Sequence, residues 1–169
     1  KERADASKLS GDWVTVNNGL NSLVDKFLKP IQEVSSVLAE LEKGNFKVHA
    51  NPDEFAGDWS LIIDEVNQLV ATVGKPIQEA SSVLTDLEQG DLQTHIKGNY
   101  VGDFTQIKNA LNKTMITLSG EIQEVSQTLT EMSHGNLDVN IVRDYQGDFL
   151  PLKTSLGQII QSFNGLLRN

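Results

Sequence analysis

KPIQEASSVLTDLEQGDLQTHIKGNYVGDF, residues 75–104, holds both landmarks of a repeating pattern that organises the whole chain. It ends on Gly102-Asp103-Phe104, and the same glycine, aspartate and aromatic stand at Gly11-Asp12-Trp13, Gly57-Asp58-Trp59 and Gly147-Asp148-Phe149, at intervals of 46, 45 and 45 residues. It begins on Lys75-Pro76-Ile77-Gln78-Glu79, matched by Lys29-Pro30-Ile31-Gln32-Glu33 and, in altered form, by Gly120-Glu121-Ile122-Gln123-Glu124. In every copy a glycine follows fourteen residues after the Pro30, Pro76 or Glu121 position, at Gly44, Gly90 and Gly135. Self-similarity at a fixed period of this size is the signature of an array.

Within each period the apolar residues keep helical spacing. Val16, Leu20, Leu23, Phe27, Ile31, Val34, Leu38 and Leu41 advance by steps of 4, 3, 4, 4, 3, 4 and 3. Ile62, Val66, Leu69, Val73, Ile77, Ala80, Leu84 and Leu87 take the same steps, as do Ile107, Leu111, Thr114, Leu118, Ile122, Val125, Leu129 and Met132; a fourth series opens with Leu152, Leu156, Ile159 and Phe163. Seams this narrow pack against other helices in a coiled-coil bundle. The expected bundle core is therefore Ile31, Leu38, Leu41, Ile62, Val66, Leu69, Val73, Ile77, Leu84, Leu87, Ile107, Leu111, Leu118, Ile122, Leu129, Met132, Leu152 and Leu156.

Two fours in succession, at Phe27 to Ile31, Val73 to Ile77 and Leu118 to Ile122, form a stutter that locally unwinds a left-handed supercoil. The seam persists through it, which predicts helices over 13–43, 59–89, 104–134 and 149–168. Each long helix spans about 46 Å at the α-helical rise. Pro30 and Pro76 fall near the stutter and each removes one hydrogen bond, so bent but continuous helices are expected there. Asp12, Asp58, Asp103 and Asp148 are expected as N-caps, with Asp103 and Gln106 as a capping-box pair.

The stretches between helices open on glycine and then alternate: Phe46, Val48, Ala50; Leu92, Thr94, Ile96; Leu137, Val139, Ile141. Alternation of this kind lays one side of an extended segment against an apolar surface. Antiparallel helices in bundles are joined by about 2–8 residues, whereas a connector of about twelve reaches ~40 Å when extended. Each connector is thus long enough to run back along its helix and start the next one parallel to it. Two parallel helices with narrow seams do not close a core alone, so a parallel homodimer is expected.

Composition removes several functions. With 14 basic against 23 acidic residues and a net charge of -9, the chain has no basic footprint for nucleic acid or an anionic membrane surface. It has no cysteine, hence no disulfide or thiolate metal site, and no apolar run long enough to insert directly in a membrane. A nucleophile elbow, a phosphate-cradling glycine loop and a metal-ligand cluster are all missing. An enzyme is not expected, and no catalytic, cofactor or metal residue is nominated. The chain starts and stops within its repeat, which reads as a piece of a longer protein.

At this point the residues resemble the HAMP domain, the signal-relay module of chemoreceptors and sensor histidine kinases. Pro76, Gly90, Leu92 and Ile96 match that family's first helix and connector, Asp103, Phe104, Ile107 and Leu111 its second helix start, and Asn112 its second-helix asparagine. Pro30, Gly44, Phe46, Asp58, Ile62, Val66 and Asn67 match likewise, as do Glu121, Gly135, Leu137, Asp148 and Leu152, with Glu121 in place of proline and Gly157 in place of asparagine. The family's glycine after the acidic pair is replaced by Ser60 and Thr105, and Gly-Asp-Phe with Tyr100 or Tyr145 upstream looks most like the tandem arrays of methyl-accepting chemotaxis proteins.

The resemblance implies an all-α fold of parallel homodimeric four-helix bundles stacked end to end. Its units are 29–74, 75–119 and 120–169, preceded at 1–28 by the second half of another. It implies a cytoplasmic relay whose partners are a second copy of itself and sensor and output domains upstream and downstream in the same chain. The connector and helix-start positions expected to carry signalling are Gly44, Phe46, Asp58, Gly90, Leu92, Ile96, Asp103, Gly135, Leu137, Ile141 and Asp148. A histidine-kinase array, a passive helical spacer and a monomeric helical repeat with a binding face are the alternatives. Stutters and apolar connectors weigh against the spacer.

Overall fold

The computed structural model describes residue 7 and residues 10–167. The helices are α1 (Asp12–Glu42), α2 (Asp58–Glu88), α3 (Asp103–Ser133) and α4 (Leu150–Leu167), with short 3-10 turns at Pro52–Glu54 and Gly147–Phe149. No strand occurs among the described residues, so the fold is all-α. α1 and α2 run unbroken through Pro30 and Pro76. No helix among the described residues is long and apolar enough to cross a membrane.

The helices end where glycine allows it. Gly44, Gly90 and Gly135 adopt φ of 81°, 83° and 83°, the left-handed region that costs an L side chain about 1–2 kcal/mol. Each makes a Schellman closure: Asn45 N–H donates to Glu40 O at 3.0 Å and Gly44 N–H to Leu41 O at 2.9 Å, and the same pair of bonds recurs at Asp91 with Gly90 and at Asn136 with Gly135.

The helix starts differ from expectation. Gly11 and Gly102, not the aspartates, occupy the N-cap positions, with φ of 61° and 60° and ψ of -137° and -138°. This backbone is open to glycine alone, so glycine sets the entry angle. Asp12, Asp58 and Asp103 become the first helical residues, their carboxylates still facing the positive end of the helix dipole. Asp148 lies in the 3-10 turn before α4. Gln106 donates from Nε2 to Asp103 Oδ1 at 3.1 Å, a side-chain pair rather than a capping box.

The chain divides into two compact units, Lys1–Gln78 and Glu79–Asn169. In the first, Trp59 at the start of α2 meets Phe27 edge-on at 6.0 Å, while Gly74 further along α2 lies against Phe46, just past the end of α1. The start of α2 thus lies beside the middle of α1 and the middle of α2 beside the end of α1, so the two helices run in the same direction. In the second unit, Lys108 near the start of α3 reaches Gly98, which also bonds Glu79 near the start of its repeat, while Ser119 far along α3 bonds Gln93 just past the end of α2. These helices are parallel too.

Within one chain the buried core is Val37, Ala50, Ile63 and Val70 in the first repeat and Val83, Ile96 and Met115 in the second. In the third, Tyr145, Leu156 and Ile160 are buried. Of the seam residues read from the sequence only Leu156 is fully buried, and Leu41, Val66, Val73, Leu87, Leu111, Leu118 and Met132 are half-buried. Ile31, Leu38, Ile62, Leu69, Ile77, Leu84, Ile107, Ile122, Leu129 and Leu152 stand 38–51% exposed.

The offset is regular. On the first helix of a repeat the buried residue precedes a seam residue, as in Val37 and Leu38, Val83 and Leu84, Thr128 and Leu129. On the second helix it follows one, as in Ile62 and Ile63, Leu69 and Val70, Ile159 and Ile160. The two helices therefore turn toward each other from opposite sides of a common stripe, and each helix has a second apolar edge that its own chain does not cover.

Candidate functional site

The connectors are the one place where each repeat brings both helices and irregular backbone together. Alternation translates directly into burial: Phe46 and Val48 are half-buried and Ala50 buried, with Lys47 and His49 exposed between them. Leu92, Thr94 and Ile96 repeat the pattern, while in the third repeat Leu137, Val139 and Ile141 are all only half-buried.

The inner end of the connector is held by asparagine. Asn67 accepts from Ala50 N–H at 2.9 Å and donates to Ala50 O at 2.8 Å. Asn112 does the same to Ile96, at 2.8 Å and 3.0 Å. Each asparagine thus satisfies both backbone groups of a buried residue that has no sheet partner, which the interior demands. Gly157 takes this place in α4 and has no side chain to offer, consistent with the shallower burial of Ile141.

The outer end is a wedge. Phe46 lies against Gly74, where an added Cβ would stand 2.7 Å from Phe46 Cβ. Leu92 and Leu137 are smaller, and the corresponding second-helix residues carry polar side chains: Gln93 donates to Ser119 Oγ at 2.9 Å, and Asn164 donates to Leu137 O at 3.2 Å. Sequence reasoning missed this pairing. The legible signal was that the largest wedge, Phe46, is matched by the smallest residue at that step of the second helix.

Carboxylates from within α2 and α3 meet the outer ends of the connectors. Glu79 is held below the usual carboxylate range, first by Gly98 N–H and then by the Tyr100 hydroxyl. Burial works to raise Glu124, yet hydrogen bonds from Val142 and Arg143 N–H outweigh it and the net shift is downward. Tyr100 is pushed up by burial and by Glu79; Tyr145 is pushed up to about 12 by burial and then by Glu124.

Of the nominated signalling positions, Gly44, Gly90 and Gly135 close helices, Phe46, Leu92, Leu137, Ile96 and Ile141 point inward, and Asp58, Asp103 and Asp148 sit exposed where the next helix begins. They gather at the two ends of each connector rather than in one cavity. No group of three or more metal-ligating side chains occurs among the described residues. His95 Nδ1 is 2.6 Å from Gln93 O, and His49 is exposed. What the arrangement can do chemically is mechanical: it fixes the spacing and register of two parallel helices.

A family model described as HAMP domain matches residues 8–52, 54–120 and 112–165, together most of the chain. No curated protein and no solved structure gives a match.

Proposed function

Because the chain belongs to the HAMP domain family, a family of signal-relay modules, we propose that it is the relay segment of a chemoreceptor of the methyl-accepting chemotaxis type. In this reading the segment is cytoplasmic and joins sensor and output domains of one polypeptide. Two copies run side by side in the same orientation, and each of the repeats 29–74, 75–119 and 120–169 contributes two helices per copy to a four-helix bundle, with 1–28 completing a bundle upstream.

One observation carries the reading. The apolar edge left uncovered on α2 consists of Ile62, Leu69, Ile77 and Leu84, each 38–51% exposed, at steps of 7, 8 and 7 residues. Steps of seven are the coiled-coil period, and the single eight holds the stutter. A continuous helix thus presents the output face of one bundle and the input face of the next, and it cannot rotate at one end alone. An input that favours one helix packing in one bundle then biases its neighbour, which is a population shift between packed arrangements. The Tyr-x-Gly-Asp-Phe form of the second and third repeats supports the chemoreceptor setting.

The test is a charged residue in a connector wedge. Leu92→Asp in the full-length receptor should leave the protein folded and fix its output irrespective of stimulus. A receptor so altered that still responds normally would remove the connector from the relay.

A further inference from the structure

The three repeats close their connectors with two different chemistries. Three aligned positions meet there: the fourth residue of the Lys-Pro-Ile-Gln-Glu motif counted from its proline, which is glutamate in every repeat, and the residue two before Gly-Asp and the residue six after that glycine, which decide between the two. They read Glu79, Tyr100 and Lys108 in the second repeat, Glu124, Tyr145 and Lys153 in the third, and Glu33, Phe55 and Ile63 in the first.

In the second repeat Glu79 Oε2 accepts from Gly98 N–H at 3.1 Å and also takes the Tyr100 hydroxyl, while Lys108 Nζ donates to Gly98 O at 2.7 Å. One connector residue is thus gripped on both backbone groups, by a carboxylate on the first helix and an ammonium on the second. In the third repeat Glu124 Oε1 accepts from Val142 N–H at 2.9 Å and Arg143 N–H at 3.1 Å, and Lys153 Nζ donates to Arg143 O at 2.6 Å. Lys153 also stands 5.9 Å from the centre of the Tyr145 ring, whose hydroxyl donates to Glu121 O at 3.3 Å. In the first repeat, which keeps the glutamate as Glu33, the places of the tyrosine and lysine hold carbon: Ile63 is wholly buried and Phe55 packs on its cluster.

We propose that Glu79, Tyr100 and Lys108, and likewise Glu124, Tyr145 and Lys153, are polar latches that fix the register of first helix, connector and second helix, and that the first repeat, lacking one, repacks most readily. The distinction is one of geometry, not of strength. Apolar contact is non-directional and is remade after a small slide or rotation. Hydrogen bonds to charged groups are stronger than neutral ones and fail once distance or angle departs from a narrow range. Glu79, Tyr100 and Lys108 act through the connector backbone and are positioning residues.

The latch itself stands on these contacts; its role in ordering the switching of repeats rests on the relay reading above. Amide exchange in this chain tests it with an internal control. Ala50 and Ile96 N–H are held by the same asparagine clamp, so exchange rates corrected for side-chain effects should differ only through the latch. Ile96 N–H should exchange more slowly than Ala50 N–H, and Glu79→Ala should speed Gly98 and Ile96 on the order of tenfold, the cost of one charge-assisted bond, leaving Ala50 unchanged. Tyr100→Phe with Lys108→Ile, which gives the second repeat the residue classes of the first, should bring Ile96 to the rate of Ala50.

Ultraviolet titration supplies a second signature, because the chain has 2 tyrosines, one in each latch. Glu79→Ala should lower the ionisation of Tyr100 and leave Tyr145 in place. Equal protection at Ala50 and Ile96 in the unaltered chain, or an unmoved Tyr100 in Glu79→Ala, would overturn the latch. A latch that behaves as stated in a receptor indifferent to Leu92→Asp would refute the relay and leave the latch standing.

Discussion

Phe46 fills the space that a side chain at Gly74 would need, its Cβ lying 2.7 Å from where one added at 74 would fall. Atoms do not approach so closely, so Gly74→Ala must push the connector outward. A shift of this kind in a packed site costs about 1–3 kcal/mol. Phe46→Gly removes the Cβ that stands in the way, so the double variant should lose clearly less than the sum of the two single losses. Thermal unfolding of the four members of the cycle checks it; additive losses would show that the two residues do not share the site.

The asparagine clamps should be worth more than an average hydrogen bond, because removing one strands two backbone groups of a buried residue. Asn112→Ala is expected to destabilise the chain by about 1–3 kcal/mol through Ile96. Gly157→Asn should act in the opposite direction by supplying the clamp missing from the third repeat and by removing a helix-interior glycine. Denaturant titration reads both, and a neutral Asn112→Ala would mean that water replaces the clamp at no cost.

Gly90 at φ +83° forbids a side chain for conformational reasons alone, since nothing lies within 4 Å of a Cβ there. Gly90→Ala should cost about 1–2 kcal/mol, and a D-alanine introduced by chemical synthesis should not. If both alanines were equally destabilising, contact rather than φ would govern the site.

Much of this architecture was legible before any coordinates. The helices α1, α2 and α3 begin and end one residue before the predicted bounds, because a regular seam and closing glycines are strong local signals. Three things were not legible. The aspartates were read as caps because acceptors at helix starts usually are, whereas the positive φ of Gly11 and Gly102 depends on how the connector arrives. The buried set Val37, Ile63, Val70, Val83 and Met115 lies one residue off the seam; period alone locates a stripe but not which of its edges meets the same chain. The Asn67 and Asn112 clamps pair residues 16 or 17 positions apart, beyond any local pattern.

Stability should respond to pH at both extremes. Glu79 and Glu124 have folded values below 4.5, so the unfolded chain binds more protons as pH falls past that value. Their contribution is complete above 4.5 and is lost as pH drops through the depressed folded values. Tyr145 is raised from 10.0 to about 12, so between those values the unfolded chain is the one that has lost its proton, and stability declines as pH rises. Glu79→Gln with Glu124→Gln should flatten the acid limb, and Tyr145→Phe the alkaline one. Unfolding midpoints that fall identically with pH in wild type and variants would contradict the assignments.

The whole account rests on a second copy covering the apolar edges that one chain leaves open. Leu84→Cys is the direct probe, because the chain has 0 cysteines of its own and Leu84 lies on that edge, 51% exposed. A parallel pair in register brings residue 84 of one copy against residue 84 of the other. The variant should run in solution at twice the 18.6 kDa chain mass and form an 84-to-84 disulfide rapidly under mild oxidation. A particle of one chain mass, or a dimer in which that disulfide does not form, would contradict the parallel bundle.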